Sequence, residues 1–302
     1  MCDFKQAGKG GQRRQMRRYI IIIGAMKSGT TTLFDLLQHH PAISPSLDKE
    51  PGFFAFEEKF ALGFDWFDGL FEFDPGVHRY RLEASTDYTK TPFVTGAWNR
   101  MTADPSVEVK LLYIMRHPLR RIESHANHTQ RKRKEIGQIV SPRPYHGLDA
   151  GLSPVSLMVS AYATQLDAYA QARAADNLHW LTLEDLTSDP ETTLATVWRF
   201  LDLEPPEPVE EIEARNASEN RRELHPVWGR ITRNRQLLLA AKALLPPRAR
   251  DRIKSLFDRK VTAEGRFSLT EEESAALTIL LDGEMARLRQ EYGVDTKRLW
   301  GL

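Results

Sequence analysis

The stretch YIIIIGAMKSGTTTLFDLLQHHP, Tyr19 to Pro41, carries the reading of the fold. Tyr19–Ile23 is apolar at every position instead of alternating, the pattern of a strand buried on both faces. Thr31–His39 then places Leu33, Leu36 and Leu37 along one side of a helix, and Pro41 lies just past its end. The glycine turn between strand and helix brings successive backbone N–H groups and a helix N-terminus to one spot, which suits a phosphate-like anion. Nucleotide hydrolases space such a loop G-x-x-x-x-G-K-[ST], with lysine after the second glycine. Here Gly24 and Gly29 keep the glycine spacing, but Thr30 follows them and the lysine is Lys27. Thr31 could offer a hydroxyl to magnesium, yet the next strong strand, Lys110–Met115, runs into Arg116 where a hydrolase needs an acid.

Outward from this loop, short aliphatic runs alternate with helical segments, which points to a parallel sheet covered by helices. Tyr80–Glu83 is a weaker strand, and Pro118–His128 reads as a helix with proline in its first turn. Pro154–Ala174 reads as one long helix, Leu178–Leu183 as a strand and Pro190–Leu201 as a helix. Beyond Pro205 the chain is helical and polar, with a break at Pro246-Pro247 and a final helix Thr270–Tyr292. The segment DKEPGFFAFEEKFALGFDWFDGLFEFDPG, Asp48 to Gly76, is too aromatic for a solvated linker. It reads as a loop packed back on the domain that also walls a cleft.

Composition narrows the class. At 302 residues, 41% hydrophobic and 27% charged, the chain is an ordinary globular protein, and a net charge of +1 gives no global field that would draw nucleic acid. Cys2 is the single cysteine, so an internal disulfide and a cysteine zinc site are both excluded. Met1–Arg18 carries Lys5, Lys9, Arg13, Arg14, Arg17 and Arg18 against Asp3 and has no apolar periodicity, so it reads as a disordered basic arm ahead of one domain, 19–302. No apolar run approaches the roughly 20 residues of a membrane helix and no signal-peptide core precedes Tyr19; the expected setting is the cytoplasm. The sequons at Asn127 and Asn216 then read as chance.

Arg116 at the end of its strand is informative in another way. Ser124 follows about two helical turns on, and an arginine fork with a hydroxyl can hold a second phosphate. With both anion positions in view, GAMKSGTTTL and YIMRHPLRRIESH together resemble the sulfotransferases that use 3′-phosphoadenosine 5′-phosphosulfate (PAPS). The aromatic segment looks most like the heparan sulfate and bacterial carbohydrate-type members, and the likeness extends to LTLEDLTSDPETTLATVWRFLDLE and YGVDTKRLW.

The resemblance implies a P-loop, sulfotransferase-type α/β fold, a parallel sheet of about five strands flanked by helices with a helical C-terminal part closing over the nucleotide. It implies that Lys27 and Ser28, Gly29, Thr30, Thr31 and Thr32 cradle the 5′-phosphosulfate, Lys27 donating to the bridging oxygen, and that Arg116 and Ser124 hold the 3′-phosphate. No metal is required on this scheme, because protein cations and amides serve both phosphates. The acceptor must lose a proton, and DKEPGFF matches the family's glutamate base with Glu50. Glu57 and Glu58 are alternatives, and His117 and His125 are backups, since a histidine does this work in the phenol and steroid branch.

One departure stands out. RLEASTDYT has Ala84 where heparan-type members carry a lysine, which leaves Glu83, Ser85 and Tyr88 as further cleft-lining candidates. Tyr162 and Gln165 also resemble a position near the cofactor or acceptor, with packing as their other reading, and the basic run Gln130–Gly137 would suit an anionic or sugar acceptor. A glycan, a phenol or a peptide tyrosine all remain open as acceptor. A P-loop kinase and a noncatalytic nucleotide-binding module are the rival classes, and the oligomeric state is unreadable.

Overall fold

The computed structural model describes residues 16–135, 154–206, 222–224, 258–260 and 267–302. Residues 1–15 of the basic arm, the Pro246-Pro247 break and the side chains of the Gln130–Gly137 run lie outside the described part. The central strand β1 spans Arg17–Gly24 and takes Arg17 and Arg18 out of the expected arm. Both arginines are held at the sheet by acids, Arg17 Nε on Asp68 at 2.7 Å and Arg18 Nε on Glu108 at 3.0 Å.

β1 is flanked on one side by β3 (Tyr80–Glu83) and beyond it β2 (Ile43–Pro45), and on the other by β4 (Val107–Met115) and β5 (Leu178–Thr182), all parallel. The uniformly apolar run of β1 is explained by its two neighbours above and below. Ile20 and Ile22 pack with Leu33, Phe34 and Leu37 of helix α1 (Thr30–Leu37). Tyr19, Ile21 and Ile23 point to the other layer, with Phe53, Phe67 and Tyr162. Each side of a strand alternates, so two buried layers require apolar residues at every position.

The aromatic segment packs as expected and forms two short helices, α2 (Glu57–Phe60) and α3 (Gly63–Asp68). Phe53 stacks on Phe67 with centroids 4.4 Å apart, and Tyr19 lies 5.1 Å from Phe67, so the segment is fastened to the sheet by ring contacts. After β3, a 3-10 turn (Thr86–Thr89) and helix α4 (Ala97–Met101) lead to β4, and helix α5 (Pro118–Glu135) follows Arg116.

The expected long helix Pro154–Ala174 is instead three: α6 (Pro154–Ser160), α7 (Tyr162–Asp167) and α8 (Ala170–Ala174). The first break falls at Ala161, whose φ of −81° and ψ of 71° leave the helical region. Helices α9 (Leu183–Ser188) and α10 (Pro190–Leu201) follow β5, the latter started by Asp189, whose carboxylate accepts from Thr192 N at 3.1 Å. A short antiparallel pair, β6 (Arg222–Leu224) and β7 (Asp258–Lys260), was not foreseen. Helix α11 (Glu271–Tyr292) opens with a capping box between Thr270 and Glu273 and buries Leu277, Leu281, Met285 and Leu288, and a short α12 (Thr296–Trp300) ends the chain. No helix among the described residues is long and apolar enough to cross a membrane.

Candidate active site

Five parallel strands send all their C-terminal ends to one edge. The chain moves outward from β1 to one side and later to the other, so the loops after β1 and β4 diverge and leave a crevice, the usual ligand position in such sheets. The loop after β1 is drawn in by Ala25 N donating to Ile114 O at 2.8 Å and Ser28 N to Ala25 O at 3.1 Å. Lys27 adopts φ 70° and Gly29 φ 99°, and a Cβ on Gly29 would sit 2.7 Å from Leu183 Cδ1, so glycine alone suits that corner. At Gly24 a Cβ would meet Thr89 Oγ1 at 2.1 Å, because that hydroxyl donates to Ile23 O at 2.7 Å across the loop's base.

Helix α1 starts at Thr30 with no side-chain cap and no acid in its first turn. Its leading N–H groups are therefore open to an anion from outside the chain. Thr30 is buried, Thr31 exposed and Thr32 half-buried, so the three threonines line the start of the helix at different depths. The Ser28 hydroxyl is fully buried beside Tyr162 but makes no hydrogen bond of proper geometry; the Tyr162 hydroxyl donates to Arg116 O at 2.7 Å. An orphaned buried hydroxyl, an uncapped helix start and Lys27 together fit the phosphate end of an anionic donor.

Arg116 and Ser124 are both half-buried at the start of α5. Among the described residues none hydrogen-bonds or ion-pairs with the Arg116 guanidinium or the Ser124 hydroxyl, so both keep donor capacity for a ligand. The turn before α5 is fixed by Glu184, whose Oε1 accepts from His117 N at 2.9 Å. The Lys27 loop thus follows β1, and Arg116 follows β4 with Ser124 on the helix after it.

Glu50 comes from the end of β2. Its neighbours bind the loop to the end of β3: Ala84 N donates to Lys49 O at 3.0 Å and Gly52 N to Ser85 Oγ at 2.8 Å. The Glu50 carboxylate is 53% exposed and pairs with Lys49 Nζ at 3.2 Å, while Lys49 also lies 5.9 Å from the Phe34 ring of α1. The carboxylate is therefore open to solvent, and the lysine paired with it reaches toward α1. Glu57, by contrast, is engaged by Arg100 at 3.4 Å, and Glu58 is an exposed residue of α2.

The histidine backups are poorly placed for proton abstraction. Burial lowers the pKa of both; His125, 7% exposed, falls to about 3, through burial first and then the adjacent Arg121. His117 Nδ1 accepts from Leu119 N at 3.3 Å, a contact inside the turn. Glu83, Ser85 and Tyr88 are buried instead of lining an open wall. Ser85 Oγ donates to Glu83 Oε2 at 2.7 Å, and burial pushes the Glu83 carboxyl up to about 8. Gln165 likewise has a packing role: its amide grips Thr91 N at 2.8 Å and Thr91 O at 2.9 Å, with Met158 O also at 2.9 Å.

Sequence reasoning missed Arg121. Its side chain is fully buried, and Nε donates to Ser160 Oγ at 2.7 Å, Nη2 to Ser156 Oγ at 3.1 Å and to Ser156 O, and Nη1 to Met26 O of the glycine loop at 3.3 Å. The available signal was the i, i+4 spacing of Arg121 and His125, which puts both on one inward face of α5.

Comparison with known proteins finds relatives among sulfotransferases. The mouse heparan sulfate glucosamine 3-O-sulfotransferase 3A1 is 29% identical over 188 residues, covering 61% of this chain and 45% of its own length. The mouse heparan sulfate glucosamine 3-O-sulfotransferase 6 is 28% identical over 198 residues, covering 64% and 54%. The chain thus spans about half the length of the curated relatives it matches. A solved sulfotransferase from Alicyclobacillus acidocaldarius overlays 88% of this chain and 96% of its own at a TM-score of 0.48 and 20% identity. The sulfotransferase domain family model matches residues 17–238, the larger part of the sequence, and the chain belongs to that family.

Proposed function

We propose that this protein transfers the sulfuryl group of PAPS to a hydroxyl or amine of a carbohydrate or glycoconjugate acceptor. The observation that supports the reading is that the Lys27 loop after β1 and Arg116 after β4, with Ser124 on the next helix, follow strands whose ends share one sheet edge. A nucleotide bearing phosphate at both its 3′ and 5′ sides uses both. The carbohydrate acceptor rests on the relatives, which are named for heparan sulfate glucosamine.

In this reading the loop amides and Ser28–Thr32 hold the 5′ side, and Lys27 donates to the oxygen that gains charge as the sulfuryl group departs. Positioning and charge stabilisation then supply most of the acceleration, as in phosphoryl transfer. Glu50 takes the acceptor proton, which its exposure and its place beside α1 support.

Calorimetry with adenosine 3′,5′-bisphosphate against ATP, with a chelator present, tests the donor. Preference for the bisphosphate is expected; preference for ATP overturns the reading in favour of a kinase. A labelled-PAPS assay over heparan fragments, simple sugars, phenols and tyrosine peptides tests the acceptor, and label on phenols or tyrosine alone overturns the carbohydrate assignment.

A further inference from the structure

Arg121 is an arginine sealed inside the protein with no acid paired to it among the described residues. Its guanidinium is 0% exposed, and its hydrogen bonds run to Ser160 Oγ, Ser156 Oγ and O, and Met26 O, with His125 Nδ1 at 3.4 Å. Among the described residues no carboxylate pairs with it. Such a charge is expensive to bury, and burial lowers its pKa with only the Tyr113 and Tyr162 rings acting in the opposite direction. A structural arginine is ordinarily answered by an acid, so this one is built for something else.

Its position gives the answer. Helix α5 begins just after Arg116 and carries Ser124 in its second turn, while Arg121 reaches from the same helix to the Met26 carbonyl, next to Lys27. Arg121 N also donates to His117 O at 2.9 Å, so its own turn is continuous with the one that follows Arg116. The other side of the guanidinium is braced by α6 through Ser156 and Ser160. One side chain therefore ties the loop of the first anion position to the helix of the second.

We propose that Arg121 is a positioning residue that fixes the spacing between the two phosphate pockets, so that a nucleotide with both phosphates engages them at once. The inference rests on the PAPS reading above. Its positive charge also lies behind the loop, where a bound anion supplies compensation that no described carboxylate gives. Lysine retains that charge but cannot span Ser156, Ser160 and Met26 together, because it lacks the planar fork.

The test is a binding cycle with adenosine 3′,5′-bisphosphate and adenosine 5′-phosphate, read by calorimetry for the wild type, Arg121→Lys and the milder Ser160→Ala, which releases Nε and the Ser160 Oγ bond to Ser156 O but leaves both Nη groups held. In the wild type the 3′-phosphate should raise affinity. In Arg121→Lys that ratio should shrink by about tenfold, a mid-range coupling for residues that act together, with a smaller reduction in Ser160→Ala. A merely structural arginine would weaken both nucleotides alike and leave the ratio unchanged, and that result overturns the inference. If Arg121→Lys shows no cooperative melt, Ser160→Ala decides by the same ratio. A wild type that ignores the 3′-phosphate would overturn the PAPS reading itself, which distinguishes the two failures.

Discussion

At the scale of single residues, Glu50 and Glu83 show how place decides the work of a carboxylate. Glu50 stands 53% exposed beside Lys49, whereas Glu83 is 0% exposed and hydrogen-bonded to Ser85. Glu50→Gln is expected to lower turnover by about 10²–10⁴-fold, the usual worth of a general base, while bisphosphate affinity stays unchanged in calorimetry. Full turnover in that variant would show that another group takes the proton. Glu83 carries a different expectation. Burial raises its pKa from 4.5 to about 8, so the folded protein keeps a proton that the unfolded chain releases. The resulting contribution to stability is fully present below about pH 4.5 and is lost as pH rises toward about 8. Thermal melts across that interval should fall for the wild type and stay flatter for Glu83→Gln; equal slopes would refute the assignment. Glu50 is put forward from the sequence because DKEPGFF has a recognisable local pattern, and the structure adds its exposure. The burial of Glu83 was not legible there, since nothing local to RLEAS says that Gly52 and Ser85 will close over it.

At the scale of elements, local periodicity served where one helix or strand answers to one neighbour. β3 falls at Tyr80–Glu83 and α10 at Pro190–Leu201, both with the bounds read from the sequence. It failed over Pro154–Ala174, where the apolar spacing continues through Ala161 although the backbone does not. The interruption is decided by distant partners: Tyr162 reaches the Arg116 carbonyl and Gln165 binds both polar groups of Thr91. Gln165→Ala would remove the partner of the part-buried Thr91 N–H and of the Thr91 and Met158 carbonyls, at a cost of about 1–3 kcal/mol. Urea unfolding should register that loss, and a variant as stable as the wild type would mean that water replaces the amide. A basic run such as Arg131–Lys134, as a stretch of sequence, gave no geometry to weigh.

At the scale of the whole molecule, a parallel sheet was legible from the alternation of apolar runs and helices, but its order was not. β2 is only Ile43–Pro45, too short to stand out, and its place beyond β3 depends on pairing. Parallel pairing brings the ends of β1, β2 and β4 to one edge, where the candidate site residues gather from far apart in the chain. A ligand spanning that edge should stabilise the fold as a unit. Adenosine 3′,5′-bisphosphate at a hundredfold its Kd should add about 2.7 kcal/mol, seen as a rise in Tm that higher salt diminishes. An absence of any such rise would count against a preformed site.

The outer strand of that sheet has a further consequence for how an acceptor approaches. Unpaired N–H and C=O groups along a sheet margin invite another chain to add itself as an extra strand. Here the margin is brief, Pro45 has no N–H to give, and Leu47 N donates outward to Leu70 O at 2.8 Å. The protein's own turn occupies the place a visiting backbone would take, just short of Glu50. An extended polypeptide therefore gains no ladder of main-chain hydrogen bonds along this margin, and any contact made there falls to side chains.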